Sequence, residues 1–586
     1  MNESRPIGGL PLTALGLSLV GLVCLGGCTG NIFAGEGDGV GASGNSGGSG
    51  NGSGGTFNDG TCVGSDVAVP KRIVRLSFNQ ITNAVETLTT TAQAETIATT
   101  YEIGDSQHRT FPPLASPREG ASITDKTWAT GDKIASDIGK YIVANLATTT
   151  PCTATPTAEC AQTFVLDFAK RAWRRPVAAD ESASLTTVLT EVATAGGTPT
   201  DQIQYGVYAV LEAPQFLYRR EFGDSSATAG GLSQSEIANQ LSFFLTDAPP
   251  DQLLLDAAAQ GALANADQIK THVQRILQTP KARQNLQDAM FSYFGLYGLE
   301  NVVVETPEFT PALRNSMYHE AELFLANNLW TGELSGLLTN RQSAINETLA
   351  PIYGVTAFPP PGGTPDADGF VLTQLPDLRG GMLTQAAFLT ARSRPDQPSV
   401  VGRGLLVNAA ILCATNPAFP EALQTEIDNV NVMLATATER EKAEYRATHG
   451  PCNGCHTGFD PYGLALGNFD SIGRFQTQDS QARPIDASVT LPDTAGGANV
   501  TSAAEMAQVL STGGGFDACM AKNVMLYALA EIPTAATSVE SVKIDGCASR
   551  AIAAEFKNTN KSFSELIAEV AVSNTLGQRS PGQGAP

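Results

Sequence analysis

Histidine is scarce, with five in 586 residues. One of them, in Tyr318-His319-Glu320, has Leu323 where a second histidine would complete H-E-x-x-H, so that zinc-hydrolase pattern is excluded. His319, His272 and His108 read as structural or exposed. Basic residues are also few, 36 lysines and arginines against 58 aspartates and glutamates, for a formal charge of −22. No basic block stands against that balance, which argues against nucleic acid as a partner. A negative surface of this kind implies solubility. The chain lacks a nucleophile elbow, a P-loop and a dinucleotide fingerprint. No pair of carboxylates stands out by spacing. No period of 20–50 residues recurs, which excludes a solenoid. Beyond the N-terminus no segment is apolar enough to span a bilayer.

The N-terminus is different. Residues 9–23 are apolar but too short for a permanent span. Leu25-Gly26-Gly27-Cys28 follows and resembles the bacterial lipobox, whose cysteine becomes acylated and N-terminal. Residues 1–27 then read as a lipoprotein signal peptide, with an ordinary signal peptide cleaved elsewhere as the alternative. Residues 35–55 hold 11 glycines among serines and asparagines, a flexible tether within 28–66. About 25 such residues have an r.m.s. span of roughly 25–30 Å. The expected location is the cell envelope, lipid-anchored. Thr29 after the cysteine favours the outer membrane, facing periplasm or surface, by resemblance to sorting in well-known bacteria.

Cysteine usage points to chemistry. Cys452-Asn453-Gly454-Cys455-His456 reads C-x-x-C-H, the attachment signature of a c-type haem. Two thiols on one turn reach two porphyrin vinyl groups, and the adjacent neutral imidazole serves as axial ligand. Haem c is therefore the expected cofactor, held through Cys452 and Cys455 with His456 on the iron. A Cys452–Cys455 disulfide, a zinc site and a thioredoxin-like centre are the alternatives, the last without its βαβ setting. Removing Cys24 with the signal and assigning Cys28 to lipid leaves six further cysteines. Cys152 and Cys160 flank a short loop, Cys519 and Cys547 lie on successive expected helices, and Cys62 with Cys413 remains by elimination.

The fold class reads as mainly α, several helical modules with a few short β-strands after the C-x-x-C-H motif. Phe164, Phe168 and Ala172 share one face of a helix over 160–175, which Pro176 stops. Lys170, Arg171, Arg174 and Arg175 read as its solvated end, suited to the helix dipole. Residues 202–222 continue helical. Ser233 and Glu236 form a capping box, and Asp251 caps the next helix. Further helices are expected near 266–278, 281–297, 310–330, 436–447, 501–511, 517–530 and 563–572. Strands are expected near 473–477 and 484–491, and the Pro/Gly-rich loop 356–369 reads as a boundary.

Several segments together resemble the bacterial DUF1592 family and its companions. Phe168-Ala-Lys-Arg-Ala-Trp-Arg-Arg-Pro176 with Glu181, Ala213-Pro-Gln-Phe-Leu-Tyr-Arg219, Leu241-Ser-Phe-Phe-Leu245, Pro250-Asp251, Asn346-Glu347 and Tyr353-Gly354 carry that likeness. Arg379-Gly-Gly-Met-Leu-Thr384, Arg403-Gly404, the C-x-x-C-H motif, Asp460-Pro461, Gly463 and Asn468-Phe-Asp470 resemble the companion planctomycete-type cytochrome c module, DUF1588. The resemblance implies an N-terminal helical module over 67–150, a DUF1595-like module over 151–215 and a DUF1592-like module over 216–355. It places the cytochrome c-like module over 376–478 and a DUF1585-like module over 498–575. It also implies export, often as a lipoprotein, and no established reaction. The chain departs from the family at Phe459, usually Met, at Gly467, usually Glu, and at Gln80-Ile81, usually Glu-Tyr.

The resulting expectation is an exported, lipid-anchored electron-transfer protein with haem c and an exported redox partner. Its rivals are a scaffold lipoprotein with a disulfide at C-x-x-C and no haem, and an enzyme with its site in the large helical module. For the second iron ligand, Phe459 is unsuitable and His449 lies only seven residues before His456. Met520 is the leading choice over Met506 and Met525, although Phe516, Met520 and Val524 also repeat like core positions.

Overall fold

The computed structural model describes residues 69–101, 125–223, 230–414, 416, 421–530 and 547–580. Cys28, the tether, Cys62 and His108 lie outside them. Within the described residues the chain is mainly α, with strands of two to four residues in small sheets. No described helix is long and apolar enough to cross a membrane.

Local signals set many helix ends. Ser233 accepts from the Glu236 amide, and Glu236 accepts from the Ser233 amide, starting helix Gln234–Thr246. Asp251 caps helix Gln252–Ala259 by accepting from the Leu254 amide. Ser77 and Gln80 make a capping box for helix Phe78–Leu88. Here Gln80 does more than a glutamate could: its amide nitrogen also donates to Asp247 Oδ1 at 2.9 Å. A glutamate would set carboxylate against carboxylate.

Two apolar cores organise the chain. The first runs from Leu76 to Phe243 and is built on helices Ala158–Ala172 and Pro199–Glu212, with Phe164 and Phe168 buried as their spacing requires. The second runs from Ala238 to Leu576. The loop 356–369 does not separate two cores. The strands flanking it, Gln342–Ile345 and Val371–Gln374, pair antiparallel, and residues on both sides share the second core.

Three expectations are corrected. The helix expected over 202–222 stops at Glu212, because Pro214 has no N–H to donate and holds Ala213 extended at ψ 140°. Strand Tyr218–Glu221 follows and pairs with Arg72–Arg75, so strands also precede the C-x-x-C-H motif. The cations after helix Ala158–Ala172 are not all solvated. Arg174 is buried and donates to the carbonyls of Ala172, Gln215, Phe216 and Tyr218. Arg175 grips Glu181 with two bonds of 2.8 and 2.6 Å, holding that carboxyl down at about 2.

The third correction concerns the strands after the motif. Pairing there shrinks to single bridges, Phe469 with Phe475 and Gln478 with Pro484, and to the two-residue strands Val489–Thr490 and Asn499–Val500. Two aspartate-centred turns interrupt the extended chain. Asp470 accepts from the amides of Ile472 and Arg474 and from the Arg474 side chain. Asp479 repeats the pattern with Gln481 and Arg483. Such side-chain bonds compete with a ladder.

Strands near the two ends of the described residues meet in a buried ion cluster. Glu221 accepts from Arg72 at 2.8 Å and from Arg579, with Arg219 4.0 Å away. Arg72 also donates to the Leu529 carbonyl at 2.6 Å. Strand Gln578–Ser580, which carries Arg579, pairs in turn with Val69–Pro70.

Candidate functional site

The segment bearing the motif is fixed from behind. Helix Val400–Leu412 crosses the short helix Asp460–Ala465 at backbone contact. A Cβ at position 404 would overlap the Phe459 carbonyl, and one at position 463 would overlap the Val400 carbonyl. Glycine is therefore required at both. Arg403, buried beside Gly404, donates to the carbonyls of Leu389, Leu466, Phe469 and Asp470. Arg379 does the same for Thr384, Ile352 and Gly473, with its guanidinium over the Tyr353 and Phe469 rings. These arginines satisfy carbonyls at short helices and in loops that no ladder reaches.

On this platform stands helix Gly450–His456, which buries none of its residues. His449 is its N-cap residue and proline lies in its first turn. Cys452 and Cys455 are three apart, partly exposed, and both thiols are free. They are not joined to each other. Burial pushes the Cys452 thiol up, and the Glu426 carboxylate adds to this against Arg446. Cys452 is therefore not an activated thiolate of the kind a disulfide oxidoreductase needs. Positions 450 and 454 face open space.

His456 is held by its own helix continuation. Its Nδ1 lies 3.1 Å from Asp460 Oδ1, and the other carboxylate oxygen accepts from Arg446 Nε at 2.7 Å. Asp460 is buried, so the carboxylate is fixed between two partners. A carboxylate at Nδ1 assigns the proton there and leaves Nε2 with the lone pair. The imidazole packs against the Phe459 ring, 4.9 Å between centroids. Phe459 itself is buried in the second core, so its side chain belongs to the packing beneath the histidine.

The other residues considered are engaged elsewhere. Met520, Met506 and Met525 are wholly buried, Met520 within helix Gly515–Leu529 beside Phe516 and Val524. His449 stacks on Tyr445 and its Nε2 lies 2.9 Å from Glu426. His319 pairs with Glu322 and packs on Phe370. Among the described residues no group of three or more His, Cys, Asp or Glu side chains gathers to hold a metal ion. Glu320, pushed up to about 7 by burial against bonds from Tyr353 and Ser343, is sealed inside the protein and open to no substrate.

Two pairings are corrected. Cys152 and Cys160 are bonded, Cα atoms 5.9 Å apart. Cys413 is bonded to Cys519, not to Cys62, and Cys547 is bonded to a cysteine other than Cys519. Successive position on helices was a poor guide: helix Val400–Leu412 packs on helix Gly515–Leu529 and delivers Cys413 to it. In the sequence Asp460 stood out only through the Asp460-Pro461 likeness, with no role at the histidine, although its place four residues after His456 and just before proline marks a helix-start carboxylate. Arg446 and Glu426 gave no sequence signal.

Residues 160–221 match the family model PSD5, protein of unknown function (DUF1595). Residues 232–355 match PSD4, protein of unknown function (DUF1592), and 379–479 match PSCyt3, protein of unknown function (DUF1588). No curated protein and no solved structure matches the chain. Three stretches of the chain, 160–221, 232–355 and 379–479, thus match DUF1595, DUF1592 and DUF1588, the planctomycete-type cytochrome c module families that the sequence resembles.

Proposed function

We propose that this is an exported electron-transfer protein carrying haem c at Cys452 and Cys455, with His456 as axial ligand. The observation that carries the proposal is the His456–Asp460–Arg446 chain beside two free thiols on one helical turn. Buried Asp460 fixes the tautomer and ring plane that iron ligation needs, a second partner that ligating histidines almost always have. The donor set therefore suits the cofactor, which when bound supplies one-electron redox chemistry. The protein's part is to hold His456 oriented and to keep both thiols reachable. In a purified protein, colour that survives acid–acetone extraction and is lost in the Cys452→Ser, Cys455→Ser double variant supports this reading. Colour retained by the double variant ends it.

The likeness of residues 25–28 to a lipobox extends the proposal to a lipid anchor at Cys28 in the outer membrane. The glycine-rich tether would hold the folded body within roughly 25–30 Å of the lipid surface, within reach of an exported redox partner. Wild type should partition into detergent, and Cys28→Ser should be soluble or keep its signal peptide. A water-soluble wild type whose mature N-terminus lies elsewhere would remove the anchor.

A further inference from the structure

Of the seven described methionines, six are at most 1% exposed, and Met433 is 57% exposed. It ends helix Gln424–Met433, which buries no residue at all. Neighbouring Val432 is 79% exposed. Apolar side chains on a helix without a core contact forgo the gain of burial unless something covers them. The helix is not remote from the motif. Glu426 lies 2.9 Å from His449 Nε2, and its charge acts on the Cys452 thiol. Positions 426 and 433 are seven apart, which places Met433 on the same face of the helix as Glu426. It stands about 10 Å further along that face.

Resting on the haem reading above, we infer that Met433, exposed on the helix that Glu426 ties to the C-x-x-C-H segment, is the second iron ligand. Met433 meets the requirement that the core methionines miss: its thioether is accessible, and it belongs to a segment tied to the C-x-x-C-H helix by one polar contact. His449 is held by Glu426 and by stacking on Tyr445. A thioether is a soft, neutral donor that binds without losing a proton and raises the potential of a c-type haem. Burial of Met433 and Val432 against the porphyrin also accounts for a helix that covers none of the protein's own core.

The test uses the full-length purified protein. Covalent haem is measured first, by extraction and by absorbance of the denatured protein. The oxidised wild type should then show the weak far-red sulfur-to-iron band. Met433→Leu should abolish that band, keep the full haem content and lower the reduction potential. Because Met433 is exposed, its helical far-ultraviolet signal should be unchanged. Met520→Leu should keep the band. Met433→His should give a six-coordinate low-spin spectrum at lower potential than wild type. A haem-loaded wild type without the band, or a band that persists in Met433→Leu, overturns the assignment and leaves haem attachment standing. A wild type with no covalent haem overturns both.

Discussion

Glu221→Gln should destabilise the protein by roughly 3–5 kcal/mol, the usual cost of removing one partner from a buried ion pair. The side chain is 1% exposed and faces Arg72, Arg579 and Arg219. Burial alone would raise its pKa, yet the three guanidiniums outweigh burial and hold the carboxyl at about 2. Gln is nearly isosteric but supplies no charge, so the cations are left facing one another away from water. The sign with pH follows. The folded pKa lies below the unfolded one, so the contribution is full above the ordinary glutamate range and is lost as pH falls through about 2. Denaturant titration at pH 7 and pH 3 reads both. Wild type and variant should differ most at pH 7 and converge toward pH 2. A difference under about 1 kcal/mol at pH 7 would mean the cluster is solvated like a surface pair. The cluster joins strands 72–75 and 218–221 to strand 578–580, so these strands should fray together in the variant.

The second large effect concerns Cys413 and Cys519. Their bridge closes a loop with a sequence separation of 106, for which chain entropy gives about 4–5 kcal/mol. The Cys413→Ser, Cys519→Ser double variant should lose stability on that scale, and reductant should do the same to wild type. The loop contains the whole C-x-x-C-H segment, so its loss should also loosen the platform under helix Gly450–His456. Unreduced peptide maps should join Cys413 to Cys519. A map joining Cys519 to Cys547, or an unchanged unfolding midpoint, would contradict this.

Much of the secondary structure was legible because its causes are local. Ser233 with Glu236, Asp251, and the Phe164–Phe168–Ala172 stripe act within one or two turns. The tertiary wiring was not legible. Arg403 reaches carbonyls 63 to 67 residues away, and Arg174 reaches 41 to 44 residues ahead. A basic cluster therefore looks the same in sequence whether it is solvated or stapling a loop. The same holds for sulfur: Met520 and Met433 differ in sequence only by their neighbours, and burial separates them. The two strands expected after the motif are shortened, to the Phe469–Phe475 bridge and to Val489–Thr490, because aspartates at 470 and 479 offered the backbone nearer partners. At the site, C-x-x-C-H was plain, while its support from Asp460, Arg446 and Glu426 came from helix continuation and from packing.

The most direct test of the account is the mass of the peptide spanning Cys452 to His456, taken from protein purified after export by a host that matures c-type cytochromes. The account expects one peptide heavier by one haem, absorbing in the Soret region, with neither thiol open to alkylation. A colourless peptide in which Cys452 and Cys455 are both alkylated, or are joined to each other, would contradict it.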